Sequence, residues 1–212
     1  MVIWVHNQLM EKIEIIKYFR GNIYESYGAY NAWKMICHSK SLGIVGEEMA
    51  NKYVEIQKVY PEFFGLTERA HLVTFIVLVL HPFDRRKDSC SLFKLDRKST
   101  KAFIETHTVI LESLKNVRDK LFAHKSIGVK TESLTIPSVD DLDDFYEKLV
   151  EFYNFLSKSI EDSTTLFGNA EGVKNEIENL FKNIERGECV RKKEVDLKWY
   201  WDENTNRASE KL

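Results

Sequence analysis

Arg118-Asp119-Lys120-Leu121-Phe122-Ala123-His124 is the stretch of this chain whose residue types and spacing could do chemistry. An arginine offers a planar fork of N–H donors that grips a phosphate in bidentate fashion, and its charge does not titrate. A histidine, with a reference pKa of ~6.5, exchanges protons near neutral pH. Together they suit RNA cleavage by attack of a 2′-hydroxyl on the adjacent phosphorus. His124 would take the 2′ proton or protonate the departing 5′ oxygen, while Arg118 stabilises the charge that grows on the phosphorane. That step needs no metal and no cofactor, and no HExxH pattern is present. The spacing alone is weak: nine arginines and six histidines in 212 residues produce roughly 0.8 accidental matches. The plainer reading pairs Arg118 with a surface acid and lets His124 cap a helix C-terminus.

The element that must position these groups is a long amphipathic helix. Ser99 or Thr100 would cap it, and Phe103, His107, Ile110, Leu114, Val117, Leu121 and His124 follow at alternating steps of four and three. On a helical wheel of about 100° per residue, Arg118 and His124 fall on opposite borders of this apolar seam, about 120° apart. Within one chain they flank the seam and do not touch. Two copies packed about a two-fold on Leu114, Val117 and Leu121 would bury the seam and bring both pairs into one basic cleft, which predicts a homodimer. Lys120 and Lys125 would raise the local positive charge. Arg85 and Arg86, in the charged loop 84–88, could steer a phosphate backbone, although most such loops are simply solvated.

A formal net charge of −2 excludes a global field that would draw the protein to nucleic acid, so RNA binding must come from a local patch. The three cysteines, Cys37, Cys90 and Cys189, are widely spaced and form no C-x-x-C pair; a reducing, cytoplasmic setting fits them. Met1 to His6 lack the basic-then-apolar order of a secretory signal. The longest apolar run, Leu72 to Leu80, is far short of the ~20 residues a membrane span needs, so it reads as a buried helix and no membrane partner is expected.

Elsewhere the periodicity predicts helices almost throughout. Leu9, Ile13, Ile16 and Tyr18 draw a first helix that Gly21-Asn22 would stop; Tyr24, Tyr27, Tyr30 and Trp33 draw a second, read as core packing ahead of a base-stacking platform. Residues 41–43 read as a loop, Gly46 to Tyr60 as a third helix, and Thr67 as the N-cap of a fourth. Glu68 and His71 have the spacing of one half of a di-iron motif, but no second copy exists. Ser138-Val139-Asp140-Asp141 opens a further helix, Val173 to Ile184 forms a modest one ending at Gly187, and Trp199-Tyr200-Trp201 marks a sticky patch in an extension.

The Arg118 to His124 stretch resembles the signature of the HEPN superfamily, an arginine, a polar residue and a histidine some four to six positions on. Phe83-Asp84-Arg85-Arg86-Lys87-Asp88, Ser89 to Leu95 and the proline-led Ile136-Pro137-Ser138-Val139-Asp140-Asp141-Leu142 resemble the AbiU-type abortive-infection branch. The similarity runs roughly from residue 5 to 160. It implies an all-α, up-and-down helical bundle over 1–160, usually dimeric, with 161–212 as a C-terminal helical extension. It also implies a metal-independent endoribonuclease of phage defence or toxin–antitoxin systems, in which Arg118 and His124 are the catalytic pair, Asp119 orients them, and an antitoxin is a possible partner. The second reading is a non-catalytic helical dimer that binds RNA or a partner protein through the same cleft or through Trp199-Tyr200-Trp201.

Overall fold

The computed structural model describes residues 2–86, 88–123, 137–194, 199–201 and 208–210. The chain is all-α, an up-and-down helical bundle, with one short pair of strands near its end. Helix α1 spans Val2–His38. It carries Ile15, Ile16, Phe19, Ile23 and Tyr30 into the core at helical spacing. The expected stop at Gly21-Asn22 does not occur. Phe19 and Ile23, on either side of the glycine, are 0% and 1% exposed, and burying both outweighs the ~1 kcal/mol a helical glycine costs. Leu9 and Tyr18, read as apolar positions of that first helix, face outward at 45% exposure each. A Cβ built on Gly21 meets nothing within 4 Å. Gly21→Ala is therefore expected to raise the free energy of unfolding by about 0.5–1 kcal/mol, read as a shift in denaturant midpoint.

The aromatic stripe on α1 divides. Tyr30 is fully buried between Phe75, at 5.2 Å between ring centroids, and Tyr146, at 5.1 Å, whereas Tyr24 is half exposed. Core packing thus holds for its inner end. A short helix α2, Leu42–Val45, replaces the expected loop. Gly46, at φ 80°, then turns the chain into α3, Glu47–Val59; among the described residues that positive-φ backbone is the one place where a glycine is required.

Helix α4 spans Pro61–Leu80, so Thr67 lies in its interior and caps nothing. Pro61 sits in the first turn, where its missing N–H has no partner to lose. Phe64 stacks on Phe181 at 5.4 Å, which makes the early turns worth forming. The apolar run is helical, as expected: Phe75, Ile76, Val79 and Leu80 are buried, while Val77 is 45% exposed. The run by itself is short, yet Pro61–Phe83, whose most apolar 18-residue window has mean hydropathy 1.6, is long and apolar enough to cross a membrane by length and composition. In this fold one of its faces is core.

A 3-10 turn, His81–Phe83, and a second, Leu92–Lys94, bracket the charged loop. The expected single long helix is three pieces: α5, Arg97–Thr106; α6, Thr108–Val117; and a wider turn, Arg118–Ala123. Its cap is Asp96, whose carboxylate accepts from the backbone N–H of Lys98 at 2.9 Å and of Ser99 at 3.0 Å. The break falls at His107, φ −108° and ψ 24°. There Thr106 and Thr108 hydroxyls bond back to the carbonyls of Ala102 and Ile104, a local competition that bends helices, and the His107 ring packs on Phe103 at 4.4 Å.

Helix α7, Val139–Glu161, opens with a full capping box between Ser138 and Asp141. Helix α8, Asn169–Glu194, runs through the expected stop at Gly187. Phe181 holds it to Tyr53 and Phe64 in a second small core, and buried Glu188 accepts from the Tyr60 hydroxyl at 2.8 Å. In the bundle α1 packs along α4, α7 and α8, and α6 lies against α4 and α7. Strands β1, Trp199–Trp201, and β2, Ala208–Glu210, pair antiparallel.

His38, His71 and His107 are each held below the ordinary histidine range, first of all by burial. A histidine that resists protonation in the fold binds fewer protons there than in the unfolded chain. The stability it contributes is complete above ~6.5 and is lost as pH falls through the lower folded value. Urea unfolding at about pH 7 and about pH 5 should show the lower stability at the acid end.

Candidate functional site

Leu114 and Val117, each 1% exposed, pin the end of α6 into the core, and Arg118 leaves the helix at its rim. Its backbone N–H is shared between the carbonyls of Leu114 and Lys115, where the helix widens; such wide turns recur at functional sites. The guanidinium is about a third exposed and grips its neighbour: Nε donates to Asp119 Oδ1 at 2.8 Å and Nη2 lies 2.7 Å from the same oxygen. Asp119 thus orients the fork, yet one carboxylate oxygen cannot use all five of its N–H donors.

The expected dimer seam is corrected by this geometry. Leu114 and Val117 are buried within a single chain, packed with Leu111 in the main core, because a helix in a bundle and a helix in a coiled coil show nearly the same apolar spacing. Leu121 continues the wide turn, and its side chain lies outside the described residues. His124 and Lys125 also lie outside them, so the Arg118–His124 pairing has no geometry here.

Arg118 and Asp119 line an open cleft of about 1100 Å³ that also takes in Arg85, Arg86, Lys115 and His81. The fold thus joins the charged loop to the Arg118 turn across more than thirty residues of chain. Arg86 donates to Asp84 through Nε at 2.8 Å and through its backbone N–H at 3.0 Å, and these bonds hold the Asp84 carboxyl below the usual carboxylate range. Arg85 lies over the Phe93 ring at 5.8 Å. Glu105 and Glu112 share the cleft, so four cations meet four carboxylates counting Asp84 and Asp119. In one chain the cleft is mixed in charge, not the basic one expected.

Lys120 is exposed and is not among the residues that line the cleft. Lys115 was legible in principle, one helical turn before Arg118; His81 carries no sequence signal. Of the Glu68–His71 pair, Glu68 is otherwise engaged, accepting from Lys40 at 2.6 Å and from the Cys37 thiol at 3.5 Å. Burial, aided by Glu68, pushes that thiol up to about 12. Among the described residues no three His, Cys, Asp or Glu side chains gather as a metal site would require. The side chains of Trp199, Tyr200 and Trp201 lie outside the described residues.

No curated protein and no solved structure matches this chain. A family model does: residues 82–181 match HEPN_AbiU2, described as AbiU2. The matched stretch begins at Pro82, inside the first 3-10 turn, includes the charged loop, α5, α6, Arg118 and Asp119, and reaches Phe181 in α8. The resemblance read from the sequence ran from residue 5 to 160; the match starts later and ends later. The helices and loop that carry Arg85, Arg86 and Arg118 are thus similar to the AbiU2 type of HEPN domain, the kind associated with abortive infection.

Proposed function

We propose that this protein is a metal-independent endoribonuclease of HEPN type acting in phage defence or as a toxin, working as a homodimer in the cytoplasm. The observation that carries the reading is the Arg118 fork, about a third exposed, oriented by Asp119 and facing a cleft that also holds Arg85, Arg86 and Lys115. In the proposed step the 2′ oxygen bonds to phosphorus and the P–O5′ bond breaks, leaving a 2′,3′-cyclic phosphate and a free 5′-hydroxyl. Arg118 holds the phosphorane charge and His124 moves a proton. A composite site from two chains would double the cations around one scissile phosphate, and an antitoxin is the expected restraint on such an activity.

The mixed charge of the cleft supports a second reading, a non-catalytic dimer that binds RNA or a partner protein there. Incubation of the purified protein with RNA in excess chelator, beside Arg118→Ala and His124→Ala, separates the two. Cleavage with cyclic-phosphate ends that both substitutions abolish supports the nuclease; binding without new ends supports the second reading.

A further inference from the structure

Internal 2′-hydroxyl attack moves two protons, one off the 2′ oxygen and one onto the 5′ oxygen. The signature stretch contributes a single histidine per chain. The cleft holds another, His81, at the C-terminal end of α4 and just outside the matched stretch.

His81 is held as a proton-transferring histidine must be. Its Nδ1 lies 2.9 Å from the Tyr18 hydroxyl. The ring is wedged edge-on against Tyr18, at 5.5 Å between centroids, and against Phe19, at 6.1 Å. Behind it lies Asn22, 6% exposed, with Nδ2 3.5 Å from the same Nδ1 and a buried Oδ1 that has no partner. A hydroxyl donates to a bare Nδ1 and accepts from a protonated one, so the Tyr18 tie survives either charge state of the ring. No hydrogen bond engages Nε2 among the described residues.

We infer that His81 is a second proton-transfer group of the proposed ribonuclease, donating from Nε2 to the departing 5′ oxygen at a phosphate held by Arg118. The inference rests on the nuclease reading above. As the O2′–P bond forms and P–O5′ breaks, the 2′ proton passes to the base of the proposed nuclease and a protonated His81 gives its own to O5′; solvent then restores both. Tyr18 acts as a positioning residue, setting the angle of the ring.

An RNA whose scissile 5′ oxygen is replaced by sulfur tests this, because a thiolate leaves without a proton. His81→Ala should slow cleavage of all-oxygen RNA by about 10²-fold or more and cleavage of the sulfur-bridged RNA less than about threefold. Tyr18→Phe, at an exposed position that keeps the ring contacts, should show the same selectivity with a smaller loss, and its unaltered thermal unfolding would establish that the fold is intact. Equal losses on both substrates, or no loss on either, overturn the assignment while the nuclease reading stands on Arg118→Ala. Wild-type protein that cleaves neither substrate overturns both.

Discussion

Leu114→Ala is expected to lower the free energy of unfolding by about 2–5 kcal/mol, by the same amount at every protein concentration. Leu114 is 1% exposed and sits in the main core with Leu111, Val117 and Phe145. Its truncation removes apolar contacts and leaves a cavity that neighbouring helices fill only in part. A residue at a two-fold seam would behave otherwise: the loss would fall on association, and the change in midpoint would grow as the protein is diluted. Val109, 86% exposed on the same helix, is the control, since Val109→Ala should stay within about 0.5 kcal/mol of wild type. Urea unfolding across a hundredfold range of concentration decides. A Leu114 effect that depends on concentration would return this residue to an interface.

The second large effect is catalytic. Arg118→Ala should reduce RNA cleavage by about 10²–10³-fold, the usual loss when a preorganised donor to a developing oxyanion is removed. Stability should barely change, because an ion pair this exposed contributes only ~0–1 kcal/mol. Arg118→Lys should recover little activity: the charge remains, but the fork that spans two phosphate oxygens does not. Asp119→Ala keeps the guanidinium and frees its orientation, so its loss should fall between wild type and Arg118→Ala. An Arg118→Ala protein that cleaves as fast as wild type would remove Arg118 from the chemistry.

Charge at the cleft gives these experiments a second axis. With Asp84, Glu105, Glu112 and Asp119 opposite Arg85, Arg86, Lys115 and Arg118, one chain provides little net attraction for a phosphate backbone. Specific contacts must carry binding, so a steep dependence on salt is not expected from one cleft alone.

The all-α class, the helical identity of the Leu72–Leu80 run and the Ser138 start of α7 were legible in the sequence. Each is a local property, set by periodicity and by a side chain capping its own helix. The resemblance of Arg118, Asp119 and His124 to a known signature was legible too, because the three are close in sequence, and the match over 82–181 is to a family model of that same kind. What the sequence could not assign was partnership. Gly21 reads as a stop until Phe19 and Ile23 are seen buried on one continuous face, and Thr67 reads as a cap until Phe64 is seen stacked on Phe181. The apolar stripe through Leu114 and Val117 states only that something covers it. Spacing is the same whether the cover is another helix of the chain or a second copy, and only the tertiary structure places α4 and α7 there. His81 meets Arg118 across one cleft for the same reason: the long-range packing of α4 on α6, which no periodicity encodes, decides which distant residues share a site.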